Sequence, residues 1–199
     1  MSTEVLDLKK ALRARIRASL KELSAAERAT ASVRACARLQ QQEIWQSARS
    51  ILFYAPLPDE LDIRPLWDAA LALSKIVALP RYASESGAYV ACCVGAPLAS
   101  LVPGRFGIME PKDDAPILPL NQLDLVLAPG VGFDLTGRRL GRGKGFYDRL
   151  LREVTGTKCG IGFEPQVVKE IPVEVHDIHL NCILTPARWL SFDPSAVLK

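Results

Sequence analysis

Residues 140–148, with the sequence LGRGKGFYD, combine three glycines, two basic side chains and one carboxylate within nine positions. Glycines let the backbone approach a ligand closely and adopt positive φ angles. Their N–H groups, and the free amides at the start of a following helix, can bind anionic oxygens. Arg142 and Lys144 add positive charge, and Asp148 lies where a carboxylate can hold Mg²⁺ against phosphates. The stretch therefore predicts a site for phosphate groups and a metal ion.

The spacing matches neither of the common phosphate-binding patterns. Arg138 stands where Gly-x-x-x-x-Gly-Lys-Ser/Thr requires its first glycine, and Gly145 replaces the hydroxyl residue. The pattern Gly-x-Gly-x-x-Gly is not matched either, because the spacing here is Gly-x-Gly-x-Gly. A basic glycine turn with a purely structural role thus stays open as an interpretation.

The elements around this stretch follow the order of an α/β fold. The apolar run LDLVLAP at 123–129 is typical of a central parallel strand, and GFYDRLLREV at 145–154 predicts a helix. The glycines therefore join the carboxyl end of a strand to a helix, where open α/β sheets bind ligands. Further strands are predicted at 50–56, 75–80, 88–94, 158–163 and 182–186, a helix at 63–74, and mostly loop at 95–122. This order predicts a mainly parallel central sheet flanked by helices.

Two helices are predicted before this core. Apolar residues recur at three- and four-residue steps between 3 and 23, as in an amphipathic helix. Ser24 and Glu27 then form a capping-box pattern that opens a second helix. We expect a single domain over residues 1–199, with the helical pair at 3–42 and the α/β core at 49–190.

Composition and charge are those of an ordinary soluble protein. The chain is 49% hydrophobic and 24% charged, and it has no apolar run long enough for a membrane span. Its net charge of +3 is too small for a general nucleic-acid-binding surface. The N-terminal residues hold no apolar signal segment, and the scattered cysteines lack metal-type spacing. We therefore expect a cytoplasmic protein with reduced thiols that binds neither membrane nor nucleic acid.

Residues 129–151, PGVGFDLTGRRLGRGKGFYDRLL, closely resemble the signature of the 5-formyltetrahydrofolate cyclo-ligase family, also called 5,10-methenyltetrahydrofolate synthetases. Other blocks resemble the family in the same order: KKALR at 9–13, PDELD at 58–62, GRFGIMEP at 104–111 and IPVEVHDIHLNCILTP at 171–186. The resemblance implies ATP- and Mg²⁺-dependent conversion of 5-formyltetrahydrofolate to 5,10-methenyltetrahydrofolate, with release of ADP and phosphate. It further implies phosphorylation of the formyl oxygen, followed by ring closure by N10.

The resemblance also implies which residues bind the nucleotide and the metal. Arg142 and Lys144 would act as catalytic residues that stabilise the transferring phosphoryl group, and Asp148 and Asp177 would hold Mg²⁺. The ATP site would be formed by Lys9, Lys10, Ala11, Leu12, Arg13, Arg139, Leu140, Gly141, Arg142, Gly143, Lys144, Gly145, Phe146 and Tyr147. Without the resemblance, the basic residues at 9–13 are better interpreted as a solvated helix face, and Asp148 as an ion-pair partner of a neighbouring arginine.

Substrate contacts follow from the same comparison. Glu60 would hydrogen-bond the pterin ring, and Phe106 and Tyr147 would pack on it. The partner implied is a small molecule, 5-formyltetrahydrofolate with or without a polyglutamate tail, and a monomer is expected. The chain departs from the family pattern at Ile63, where relatives often have threonine, and at Asn181, where they usually have aspartate. Neither position handles phosphate, so we expect activity to survive.

Three other functions stay open from the sequence, one of which is a noncatalytic folate-storage role. A related ATP-dependent enzyme could act on another formamide or folate, which a panel of substrates would reveal. A noncatalytic polyanion- or nucleic-acid-binding module would use the six basic residues at 138–152 and would bind in a salt-sensitive way. Asp148 among these bases and the lack of an aromatic stacking series argue against the binding module.

Overall fold

The computed structural model of the chain describes residues 3–95, 101–172 and 177–192. Its helices are α1 (Thr3–Lys21), α2 (Ala25–Gln40), α3 (Glu43–Ser47), α4 (Arg64–Ala72) and α5 (Phe146–Glu153). Short 3₁₀ turns lie at Arg105–Gly107, Leu120–Gln122 and Glu164–Gln166. No helix within the described ranges is long and apolar enough to cross a membrane.

An eight-stranded sheet forms the centre of the fold. The strands are β1 (Ser50–Leu52), β2 (Ile76–Ala83), β3 (Ala88–Cys93), β4 (Leu101–Pro103), β5 (Met109–Pro111), β6 (Ile117–Leu118), β7 (Leu125–Pro129), β8 (Gly132–Asp134), β9 (Arg139–Leu140), β10 (Thr157–Ile161), β11 (Val167–Val168), β12 (Cys182–Leu184) and β13 (Trp189–Ser191). The sheet order is β13-β12-β10-β7-β1-β2-β3-β6, and β11-β8-β9 and β4-β5 form two small sheets. The strands from β12 to β2 are parallel, whereas β13, β3 and β6 pair antiparallel at the sides. The predicted fold class is thus confirmed.

The side chains of β7 explain why its sequence is a continuous apolar run. Leu125 and Leu127 pack in a core that includes residues of α1, α2 and α4. Val126 and Ala128 pack on the other side of the sheet, in a core that includes residues of α5. Because side chains alternate along a strand, both faces of the sheet are covered and β7 has no solvent-facing position.

The N-terminal helices form as predicted. The Glu27 N–H donates to Ser24 Oγ over 3.2 Å, and the Ser24 N–H donates to the Glu27 carboxylate over 2.8 Å, which completes the capping box. In α1, Ile16 is buried against β8, where a Cβ on Gly132 would lie only 2.6 Å from Ile16 Cδ1. The helix therefore approaches the backbone closely at the start of the β8–β9 hairpin.

Several elements differ from the prediction in extent. The strand predicted at 50–56 ends at Leu52, and Pro56 and Pro58 follow, which cannot donate to a strand ladder. The stretch predicted as mostly loop at 95–122 contains, in its described part, the short β4–β5 hairpin and β6. The β8–β9 hairpin and β13 were not predicted. Strands of two or three residues carry too little periodicity to stand out from turns.

A buried carboxylate fixes the β8–β9 hairpin. Asp134 is fully buried, and its Oδ1 accepts hydrogen bonds from the N–H groups of Thr136 and Arg138 at 2.9 and 3.1 Å. Its Oδ2 accepts from the Ile171 N–H at 3.0 Å. The Asp134 carboxylate thus satisfies the N–H groups of the turn and joins the turn to the segment that contains Ile171. The glycine loop, residues 141–145, follows this hairpin directly.

Candidate active site

A cavity of about 330 Å³ lies at the carboxyl edge of the parallel strands. β7 ends at Pro129 and β1 at Leu52, while β2 continues past β1 into a hairpin with β3 and forms a wall. Predicted site residues that line the cavity are Glu60, Arg139, Gly141, Arg142, Lys144, Gly145, Phe146, Tyr147 and Asp148. The fold therefore brings the glycine loop, residues 141–145, and the acidic loop at 58–62, the predicted substrate loop, to one place.

The loop at 141–145 requires glycine for conformational reasons. Gly143 and Gly145 have φ angles of +98° and +68°, in the left-handed region that other residues rarely adopt. Gly145 is also the residue from which α5 begins, so the free amides of that helix lie directly beside the loop. This backbone, together with Lys144, is suited to binding anionic oxygens.

Helix α1 reaches the same loop with two basic side chains. Arg13 Nε donates a hydrogen bond to the Gly141 carbonyl over 2.8 Å. Lys9 is buried, and its ammonium lies 2.7 Å from Asp177 Oδ2. These two residues therefore do not form a solvated helix face. Lys10 and Ala11 are exposed.

Two further residues of the predicted ATP site face the protein interior. Leu12 and Leu140 are buried in the core that includes the residues of α1, α2 and α4. Their contribution to the site is to fix the position of α1 and of β9. Gly143 is exposed at the tip of the loop.

Arg142 connects the glycine loop to the substrate loop. Its Nη2 lies 2.6 Å from Asp59 Oδ1 and 2.9 Å from Glu60 Oε1. Glu60 also accepts a hydrogen bond from the Leu57 N–H at 3.0 Å. Burial raises the pKa of Glu60, although the hydrogen bonds from Leu57 and Arg142 oppose the shift. A carboxylate with a raised pKa thus faces the cavity beside the glycine loop.

Arg139 and Asp148 form a second ion pair in the cavity wall. Arg139 Nη2 lies 2.5 Å from Asp148 Oδ1, and Arg139 Nη1 donates to the Pro129 carbonyl over 3.0 Å. The Arg139 side chain is only 3% exposed. The partner that the structure gives to Asp148 is thus Arg139, the first residue of β9.

The predicted magnesium ligands are Asp148 and Asp177, whose carboxylate oxygens are donors of the kind that Mg²⁺ prefers. Asp148 Oδ2 makes no hydrogen bond to any described residue, so it can serve as an oxygen ligand at the cavity surface. Among the described residues, no group of three or more metal-binding side chains exists. Mg²⁺ is commonly held by one or two carboxylates plus substrate phosphates. Of the two predicted ligands, Asp148 lines the cavity, whereas Asp177 lies 2.7 Å from the Lys9 ammonium.

The aromatic residues form the remaining wall. Tyr147 lines the cavity, and burial raises its pKa far above the usual range, so the phenol stays protonated. The side chain of Phe106 lies outside the described part of the chain. Its neighbour Ile108 lines the cavity from the same segment. Tyr54 and Tyr89 also line the cavity but were not predicted as site residues. The sequence places each of them only within a predicted strand, at 50–56 and at 88–94.

The two departures from the family pattern have structural explanations. Ile63 is 1% exposed and packs in the core, where a hydroxyl would need a partner. Asn181 Oδ1 accepts a hydrogen bond from the Lys158 N–H at 2.8 Å and so joins the starts of β10 and β12. Both residues stabilise the fold.

An α/β sheet with a largely apolar cavity and a few polar side chains at its carboxyl edge is typical of enzymes that bind small molecules. Residues 5–186 match the model of the 5-formyltetrahydrofolate cyclo-ligase family. The 5-formyltetrahydrofolate cyclo-ligase of Escherichia coli strain K12 is 36% identical over 166 residues, which cover 75% of this chain and 91% of the relative. That of Mus musculus is 30% identical over 189 residues, covering 88% and 92%. The solved structure of Aquifex aeolicus 5,10-methenyltetrahydrofolate synthetase has a TM-score of 0.83 at 33% identity and covers 92% of both chains.

The chain therefore belongs to the 5-formyltetrahydrofolate cyclo-ligase family. The resemblance inferred from the sequence is confirmed, and so is the prediction of a ligase of folate one-carbon metabolism. Family membership also implies ATP as the co-substrate.

Proposed function

We propose that the chain converts 5-formyltetrahydrofolate to 5,10-methenyltetrahydrofolate at this cavity, with ATP and Mg²⁺ and with release of ADP and phosphate. One observation carries the proposal. The glycine loop and the buried Glu60 face the same cavity, and Arg142 contacts the Glu60 carboxylate directly. A phosphate-binding part and a heterocycle-binding part are thus adjacent.

The reaction needs ATP because the formyl oxygen is a poor leaving group. In the substrate, N5 donates electron density into the carbonyl, so attack by N10 with loss of oxide is unfavourable. Transfer of the γ-phosphoryl group to the formyl oxygen breaks the bond to ADP and leaves an electrophilic carbon doubly bonded to N5. N10 then adds to this carbon, its proton is lost to solvent, and the oxygen leaves as phosphate.

Residues of the glycine loop stabilise the first step. The charge on a transferring phosphoryl group is spread over its oxygens, so catalysis depends on positioning and on positive charge. Lys144 is exposed at the cavity and supplies a point charge. Arg142 uses only Nη2 in its described contacts, so its other donors are available to a phosphate oxygen. The N–H groups at 143–145 bind the remaining oxygens.

The substrate loop orients the pterin for the second step. Ionised Glu60 can accept hydrogen bonds from the N–H groups of the pterin ring. Protonated Tyr147 and the adjacent apolar wall exclude water from the activated carbon. Asp148 and Asp177 would hold Mg²⁺, which neutralises phosphate charge when it is bound. Lys9 and Arg13 hold Asp177 and the loop carbonyl in place for the nucleotide.

An isotope experiment tests the chemistry. Substrate with ¹⁸O in the formyl group is converted in unlabelled water, and the released phosphate is analysed by mass spectrometry. The proposal predicts one ¹⁸O atom in each phosphate, because the formyl oxygen becomes a phosphate oxygen. Unlabelled phosphate together with labelled water would rule out phosphorylation of that oxygen.

A second proposal concerns the compartment, the oligomeric state and the partners of the protein. We propose that it acts in the cytoplasm as a monomer that binds small molecules, without nucleic-acid or membrane partners. All five cysteines are free thiols and four of them are buried, which suits a reducing compartment. Light scattering of the purified protein tests the monomer, and a dimeric mass would contradict it.

A further inference from the structure

Two aromatic rings that line the cavity, Tyr89 and Phe146, pack with a third ring, Tyr82, into one cluster. Tyr82 and Tyr89 are cross-strand partners in the β2–β3 hairpin, with ring centroids 5.7 Å apart. Phe146, the first residue of α5, lies 5.6 Å from Tyr82 and 5.4 Å from Tyr89. All three pairs have edge-to-face geometry, which fixes the rings relative to one another.

Two arginines lie on these rings. The Arg105 guanidinium is 4.2 Å from the Tyr82 ring centroid and 5.8 Å from that of Phe146. The Arg149 guanidinium is 4.9 Å from the Phe146 centroid, and its Nη1 would lie 3.5 Å from a Cβ on Gly145. Cation–π contacts hold both heads at the rim while both side chains stay exposed.

Arg105 and Arg149 are the basic side chains that contact these rings. Arg149 forms no ion pair with any described residue, and its guanidinium lies over the Phe146 ring. Glu110, the acidic residue on the same segment as Arg105, is buried and accepts a hydrogen bond from the Tyr82 N–H at 3.0 Å. The mechanism proposed above uses neither arginine.

We propose that Arg105 and Arg149 bind the glutamate carboxylates of the folate substrate. The inference rests on the proposed function, which places the pterin at Glu60. A cavity of about 330 Å³ is small for a whole folate, so the far end of the substrate extends past the rim. The p-aminobenzoyl ring then packs on Phe146 and Tyr89, and the two carboxylates that follow it meet the two guanidinium groups. Guanidinium pairs well with carboxylate because its donors match the two oxygens.

Kinetics with two substrates test this site. The first is 5-formyltetrahydrofolate and the second is 5-formyltetrahydropteroate, which lacks the glutamate. Arg149→Gln should raise KM for the folate about ten-fold, the loss of roughly one charged contact, with kcat within about two-fold. The same change should leave KM for the pteroate unaltered. Arg105→Gln should act in the same direction, whereas exposed Arg15→Gln on α1 is the matched control and should change neither substrate.

Other results would overturn the site. Equal increases in KM for both compounds would mean that Arg149 shapes the cavity, and an unchanged folate KM in both variants would exclude carboxylate binding. Equilibrium binding of the two compounds without ATP separates this inference from the proposed function. If the wild-type protein turns over neither compound but binds the folate more tightly, and Arg149→Gln removes that preference, the reaction fails and the site stands.

Discussion

Lys144 is the residue on which the phosphate-binding argument depends most. It lines the cavity, is exposed, and makes no hydrogen bond or ion pair to a described residue. Lys144→Ala should therefore change stability by no more than about 0.5 kcal/mol but lower kcat about 10²- to 10³-fold. Exposed Lys112→Ala provides the matched control. Steady-state rates and urea unfolding measure both effects. A folded Lys144→Ala protein with full activity would remove the residue from the mechanism.

Glu60 predicts the acid side of the pH profile. Burial raises its pKa, so the carboxylate takes up a proton at a higher pH than an ordinary glutamate does. Because the protonated form accepts fewer hydrogen bonds from the pterin, kcat/KM should fall as the pH drops through this raised pKa. Glu60→Gln should lower kcat/KM at neutral pH and remove that acid limb. An acid limb of unchanged midpoint in Glu60→Gln would assign the titration to another group, the substrate included.

At the scale of elements, α1 is proposed to form part of the nucleotide site. Arg13 joins the helix to the Gly141 carbonyl, and Ile16 docks it against Gly132. Arg13→Ala should raise KM for ATP about ten-fold, since the loop loses a charged hydrogen bond that orients it. Arg17→Ala, at an exposed position one turn further along the helix, is the matched control and should leave KM for ATP unchanged. If both variants keep the wild-type KM for ATP, α1 contributes only to the core.

The elements also show what sequence reasoning can find. The apolar run of β7, the capping box of α2 and the start of α5 at the glycine loop depend on neighbours in the sequence, and all three were predicted. The β8–β9 hairpin was missed because it is fixed by Asp134. The Asp134 carboxylate accepts four hydrogen bonds, one of them from the distant Ile171 N–H. Such a tertiary hydrogen bond leaves no local pattern.

At the scale of the whole molecule, the sheet order assembles the site. β7, β1 and β2 are neighbours, so the loops that follow them meet although they are far apart in the sequence. The sequence indicated the chemical groups but not their pairing. Arg142 with Glu60 and Arg139 with Asp148 are contacts that only the fold defines. These pairs also give two of the six basic side chains at 138–152 a carboxylate partner within the fold.

The most direct test of the account is a spectroscopic assay with single omissions. Purified protein is mixed with 5-formyltetrahydrofolate, ATP and Mg²⁺, and the near-ultraviolet absorbance of the methenyl product is followed together with ADP release. The account predicts an absorbance rise that requires all three components and that matches ADP one to one. No rise with folded protein that binds ATP, or a rise without ATP, would contradict it.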